Sequence, residues 1–178
     1  MTGKYLHKNE QNAKLPRVSS IAVHTLLRCI IGLLVASIIL LNLFTHVLLI
    51  VHYTGNSMEP NLSNGQTLIL AKTTDVAEGD VIAFYFNNQV LVRRVVCTGG
   101  NRITVRRDGA VLINDEPVEE PYVAQPSLGQ CSISFPYYVQ NGYVFVMGDN
   151  REISMDSRLE EIGAIPERRI IGKVLFSF

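Results

Sequence analysis

The chain has 178 residues, with 16 basic and 16 acidic side chains and a formal net charge of zero. The basic residues are scattered rather than clustered, which excludes the concentrated positive footprint that nucleic-acid binding requires. The length accommodates one membrane element and one compact domain of ordinary size. Three cysteines occur without a CxxC pair or His/Cys spacing suited to zinc, so neither a metal site nor a cofactor is expected.

Residues 1–28 carry Lys4, Lys8, Lys14, Arg17 and Arg28 and read as a cytoplasmic N-terminal segment. Residues 29–51, from Cys29 to Val51, are free of charge, and a helix of that length reaches about 34 Å, enough to span a bilayer. No Lys or Arg follows until Lys72, so the positive-inside rule places the N-terminus in the cytoplasm and residues 52–178 outside it. A cleavable leader usually has an apolar core of about 7 to 15 residues followed by small residues. This core is longer and runs into Val51-His52-Tyr53-Thr54, so an uncleaved anchor is expected. Asn42, Thr45 and His46 interrupt it and need partners on the helix backbone, on another helix or at the interface. His24, His46 and His52 suit structural or interfacial roles better than catalysis.

Beyond Ser57 the pattern changes to short alternating stretches separated by Gly, Asn and Asp, the signature of antiparallel strands. Strands are expected over Thr67 to Lys72, Val81 to Phe86, Val90 to Val96, Arg102 to Arg107, Ala110 to Ile113, Tyr143 to Met147 and Arg169 to Phe176. Asn87-Asn88 separates one pair and Asp108-Gly109 another; Asp-Gly favours positive φ, so the second hairpin has the stronger signal. Pro117, Pro121, Pro126 and Pro136 remove ladder donors and make the stretch from Glu116 to Gly142 irregular. A short helical turn is expected within Arg151 to Glu161. The fold class is mainly β, a twisted antiparallel sheet or partial barrel behind a single transmembrane helix. Cys97 and Cys131 are read as buried thiols, with pairing left open as the alternative.

Ser57 follows the anchor within Gly55-Asn56-Ser57-Met58-Glu59-Pro60, and on its own this is an ordinary turn composition. Order and spacing give it weight. It precedes Gly79-Asp80-Val81-Ile82-Ala83-Phe84, then Val92-Arg93-Arg94-Val95, then Ile113-Asn114-Asp115-Glu116-Pro117, then Gly148-Asp149-Asn150-Arg151 with Ser154, Asp156, Ser157 and Arg158.

These blocks resemble the type I signal peptidases, and the compact size with a single N-terminal anchor resembles their Gram-positive branch. The resemblance implies a serine endopeptidase acting on signal peptides of exported precursors at the surface of the lipid bilayer. Ser57 would be the nucleophile, and its backbone N–H part of the oxyanion site. Ser154 matches a serine that hydrogen-bonds the general base, and Asp156 with Arg158 matches a bracing pair. Asp149 and Arg151 belong to the same supporting motif. Gly55 stands where some members carry a second serine that donates to the oxyanion. The family's preference for small residues before the cut implies an extended peptide near Val81, Ile82, Ala83 and Phe84 and the strand entering the Ser57 loop, for which a plain core role is the alternative.

Arg93 stands where the resemblance implies a lysine general base. Bringing a lysine from about 10.4 to about 7.5 requires ~4 kcal/mol, whereas half-neutralising an arginine near pH 7 requires ~7 to 9 kcal/mol. A domain with total stability of about 5 to 15 kcal/mol is ill placed to supply that. Lys72 and Lys173 match solvated strand-end positions instead. Three readings follow: a peptidase with an altered or substrate-assisted base, which the retained motifs place first; a homologue that binds precursors without efficient cleavage; and a scaffold protein. Divergent members are associated with pilus assembly, which implies a pilin subunit as a partner.

Overall fold

The computed structural model describes residues 20–178. Lys4, Lys8, Lys14 and Arg17, which carry the charge bias, lie outside the described residues. Two compact units divide the chain, the first ending at Leu43 and the second running from Phe44 to Phe178.

Helix α1 covers Ser20–Val47 and is apolar on all its faces. Its stretch Val23–Val47, 25 residues or about 37 Å long, is long and apolar enough to cross a membrane. Such a helix supports membrane anchoring. Within it Asn42 donates to the Ile38 carbonyl at 3.0 Å and Ser37 to that of Leu34 at 2.8 Å, so these polar side chains bond the backbone of their own helix. The end of the expected anchor is different in the structure. Leu48–His52 forms strand β1, whose register with β2 (Thr67–Ala71) runs from Leu48 opposite Ala71 to His52 opposite Thr67. An apolar run suits either a lipid-facing helix or a buried strand, and pairing with β2 decides for the strand from Leu48 onward.

The second unit is mainly antiparallel β, as expected. After β1 and β2 come β3 (Val81–Phe86), β4 (Gln89–Thr98), β5 (Arg102–Val105), β6 (Val111–Ile113), β7 (Glu116–Pro117), β8 (Tyr137–Tyr138), β9 (Tyr143–Met147), β10 (Ile165–Pro166) and β11 (Ile170–Ser177). Seven strands form a sheet in the order β1-β2-β11-β3-β4-β9-β10, and four form a second in the order β7-β6-β5-β8. Each expected strand is present within a few residues of its expected ends, and β1 is the strand that enters the Ser57 loop; the short strands β7, β8 and β10 are additions. Two-residue pairings at β7, β8 and β10 leave no alternation to read.

Asn87 and Asn88 have φ of 45° and 59°, and Phe86 pairs directly with Gln89, so β3 and β4 are joined by a tight two-residue turn. Asn114 and Asp115, at 52° and 71°, do the same between β6 and β7. The Asp108-Gly109 hairpin also forms, as a wider turn closed by the Arg106 N–H on the Ala110 carbonyl at 2.9 Å. Arg151 to Glu161 holds turns, the first of them a single helical turn closed by the Ser154 N–H on the Asn150 carbonyl at 3.2 Å; the one short 3-10 helix among the described residues is Glu167–Arg169.

Three apolar clusters surround this framework. Ile82, Phe84, Val95, Val146 and Ile165 make one, Ile103, Val139, Phe145 and Met147 a second, and Tyr53, Met58, Leu68, Leu70, Ala83 and Val92 a third. The third packs the Ser57 loop against β2, β3 and β4, which fixes where its polar side chains emerge. Cys97 is buried, Cys131 half-buried, and both are free thiols, so the pairing alternative does not hold.

Candidate functional site

The loop from Tyr53 to Met58 leaves β1 and is held at several points. Tyr53 is buried and its hydroxyl accepts the Met58 N–H at 3.0 Å. The Gly55 N–H donates to Asn64 Oδ1 at 2.8 Å, and the Asn150 N–H donates to the Ser57 carbonyl at 3.0 Å. At Gly148 the neighbouring loop comes so close that a Cβ there would overlap Ser154 Oγ and the Ser57 carbonyl. Glycine is therefore required by contact at this position.

Successive side chains of a strand leave opposite faces. On β4 this sends Arg93 and Arg94 to different partners. Arg93, only 5% exposed, donates from Nη1 to Ser57 Oγ at 2.7 Å and to the Val92 carbonyl at 2.6 Å, and from Nε to the Met155 carbonyl at 2.9 Å. No carboxylate pairs with it among the described residues. Burial lowers its pKa from the ordinary guanidinium value, while the Asp156 charge works in the opposite direction. A guanidinium starts so high that it remains a cation and a donor.

Ser57 Oγ has a second neighbour, the Tyr53 hydroxyl at 3.2 Å, where either oxygen can donate. Ser154, expected beside the residue at position 93, has a buried Oγ with no hydrogen-bond partner among the described residues. The guanidinium bonds Ser57 and backbone carbonyls and leaves Ser154 unpaired.

The remaining expected residues form an electrostatic frame. Asp156 and Arg158, both fully buried, are joined bidentately at 2.7 and 2.8 Å, and Asp156 also accepts the Gly148 N–H at 3.0 Å. Arg158 continues to the Leu128 carbonyl at 2.7 Å, tying the proline-rich excursion to this loop. Asp149 accepts Arg94 at 2.8 and 2.5 Å and Asn61 at 2.9 Å. Arg151 pairs bidentately with Glu120 at 2.6 Å. Burial opposes the charge of Arg151, but the hydrogen bonds and charge of Glu120 outweigh it and raise its pKa. Tyr122, pushed up by burial and then by Glu120, lies under the Arg94 guanidinium, 4.1 Å from ring centre to cation.

A cavity of about 560 Å³ opens beside Ser57 and Arg93, with walls from Tyr53, Val90, Leu91, Val92, Ile153 and Met155. Of the four residues expected to contact substrate, Ile82, Ala83 and Phe84 are fully buried in the core and Val81 packs against it. None of the four lines this cavity; its apolar wall comes from Val51 of β1, from Tyr53, from β4 and from the loop around Ile153. Among the described residues no cluster of three or more His, Cys, Asp or Glu side chains is placed to hold a metal ion.

The family model described as signal peptidase, peptidase S26, matches residues 24–178. The chain belongs to this family.

Signal peptidase IB of Staphylococcus aureus strain N315 is 30% identical to this member of the peptidase S26 family over 177 residues, covering 86% of this chain and 89% of the relative. Thylakoidal processing peptidase 1 of Arabidopsis thaliana is 31% identical over 141 residues, covering 70% of this chain and 40% of that protein's length. The crystal structure of a signal peptidase I from Enterococcus faecalis V583 has 27% identity, covers 57% of this chain and 97% of its own, and superposes with a TM-score of 0.49.

Within this S26 chain the structure gathers Ser57, Arg93, Ser154, Asp149, Arg151, Asp156 and Arg158 into one neighbourhood. Lys72 and Lys173 are engaged elsewhere, with the Thr45 carbonyl at 2.7 Å and Asp80 at 2.9 Å. Sequence reasoning missed Tyr53, whose only signal is its place four residues before Ser57 in a tight loop. It also missed Glu120, which lies far along the chain in the proline-rich excursion. Gly55 has φ of +114°, a conformation that L side chains rarely adopt, so a serine there would be strained.

Proposed function

We propose that this S26 family member is a membrane-anchored homologue that binds signal peptides of exported precursors beside Ser57 and cleaves them slowly or not at all. One observation carries the reading: Ser57 Oγ receives a hydrogen bond from a buried cation, and no neutral amine or imidazole accompanies it among its described partners. A base must be able to accept the serine proton, and loss of that function costs ~10² to 10⁴ in rate. The N-terminus is cytoplasmic and the β domain external in this reading, with pilin subunits as one precursor class.

A second reading is favoured by Tyr53. Its hydroxyl is 3.2 Å from Ser57 Oγ, close enough to exchange a proton, and is held in place by the Met58 N–H. Cleavage would then proceed with Ser57 as nucleophile and Tyr53 as the group that receives its proton.

The test is incubation of the purified chain in detergent with a secretory or pilin precursor. Precursor capture without cleavage by wild type is expected. Cleavage lost in Ser57→Ala and in Tyr53→Phe would establish the second reading and overturn the first. Absence of precursor binding would overturn both.

A further inference from the structure

We propose that the cavity beside Ser57 is a receptor for peptides that end in a free α-carboxylate, with Arg93 as the group that selects the acid over an internal peptide bond. This rests on the precursor-binding reading and specifies its ligand as the cleaved form.

The observation behind it is the incomplete pairing of Arg93. Its Nε and Nη1 hydrogens go to Met155, Val92 and Ser57, all neutral acceptors. The two N–H groups of Nη2 have no protein acceptor among the described residues, yet Nη2 is not among the fully enclosed polar atoms without a partner. The side chain lines the cavity, so a ligand entering there meets an unsatisfied cationic donor. The other arginines of the neighbourhood are different: Arg94, Arg151 and Arg158 each hold a carboxylate bidentately. Arg93 holds no carboxylate among the described residues.

Nearby acids do not supply it. Asp156 is occupied by Arg158 and the Gly148 N–H. Glu161 lines the same cavity but is exposed and makes no ion pair among the described residues. A guanidinium binds a carboxylate more strongly than a neutral amide, because both partners are charged and the hydrogen bonds are short. The Tyr53 and Ser57 hydroxyls add neutral hydrogen-bonding groups, and Val90, Leu91, Val92, Ile153 and Met155 provide apolar walls for the residues preceding the terminus. A lysine at this position would present a compact, more readily neutralised charge. Arginine keeps its charge and offers a planar fork. Hydrolysis of a peptide bond in a precursor is the class of reaction that supplies such a ligand.

The test compares two synthetic peptides, identical and ending in Ala-Xaa-Ala, one as the free acid and one as the C-terminal amide, titrated against the full chain in detergent micelles. The acid is expected to bind at least ~10-fold more tightly, equivalent to about 1.4 kcal/mol, with an advantage that shrinks as salt rises. In Arg93→Gln, checked for folding by thermal unfolding, the ratio is expected to fall to about one. Equal binding of acid and amide by wild type would overturn the carboxylate proposal and leave the precursor-binding reading standing. Binding of neither would overturn both. A preference that survives unchanged in folded Arg93→Gln would assign the selection to another group and overturn the role of Arg93.

Discussion

Arg93 donates from Nη1 to Ser57 Oγ at 2.7 Å, and this contact orients the serine lone pairs toward a cation. A charged donor in that position stabilises negative charge on a neighbour but removes no proton. The supporting ion pairs surround a serine whose hydroxyl meets the Arg93 guanidinium and the Tyr53 hydroxyl.

Arg93→Lys is expected to raise precursor cleavage by ~10² to 10⁴ over wild type, because a lysine in this apolar setting can lose its proton whereas arginine does not. Its rate should increase with pH as the lysine deprotonates, and adding Ser57→Ala should abolish the gain. A precursor-processing time course over a pH series reads both effects. An inactive but folded Arg93→Lys protein would show that more than the base is missing.

Ser154→Ala is expected to lie within about 1 kcal/mol of wild type or to be slightly more stable, since the buried hydroxyl it removes has no partner. Ser157→Ala provides the contrast. The Ser157 hydroxyl accepts the buried Val146 N–H at 2.9 Å, and its loss should cost ~1 to 3 kcal/mol. Urea unfolding of the two variants in parallel separates these outcomes.

Asp156→Asn leaves the buried Arg158 without its counter-charge and is expected to destabilise the domain by ~3 to 5 kcal/mol. The Arg102 to Asp115 pair is largely solvent-exposed, so Asp115→Asn should change stability by less than ~1 kcal/mol. Thermal melts that rank the two equally would contradict the assignment of Asp156 to the frame.

Cys97 is pushed up to about 12 by burial and then by the Glu78 charge. An unfolded chain ionises this thiol near its ordinary value of 9.0, whereas the folded chain keeps its proton. The folded state therefore binds more protons between those values, and the contribution of Cys97 to stability is present below about pH 9 and declines as pH rises toward 12. At pH 8 a thiol reagent should modify Cys131 before Cys97, read by peptide mass. Reduction before alkylation should add no further label, because both thiols are already free.

Much of the strand pattern is legible in local sequence, because alternation and turn chemistry act over a few residues. Val81 to Phe86 and Tyr143 to Met147 coincide with β3 and β9 for that reason. Asn87-Asn88 adopts the tighter turn although Asp108-Gly109 has the stronger local signal, since the direct pairing of Phe86 with Gln89 allows two loop residues only. Leu48 to Val51 reads as membrane-spanning because lipid and protein interior reward the same apolar residues. Only the distant partner β2 distinguishes them.

Sequence alone determined the apolar anchor, the mainly β character and the order of the motif blocks that identify the family. It also set the charge problem at Arg93, because the proton affinity of a guanidinium is intrinsic to the side chain. Tertiary structure decided the rest: that Arg93 bonds Ser57 and leaves Ser154 unpaired, that Tyr53 joins the serine, that Glu120 braces Arg151, and that Ile82, Ala83 and Phe84 serve the core. The physical reason is distance along the chain. Those contacts join residues from separate strands and loops, and their partners are chosen by packing that no local pattern records.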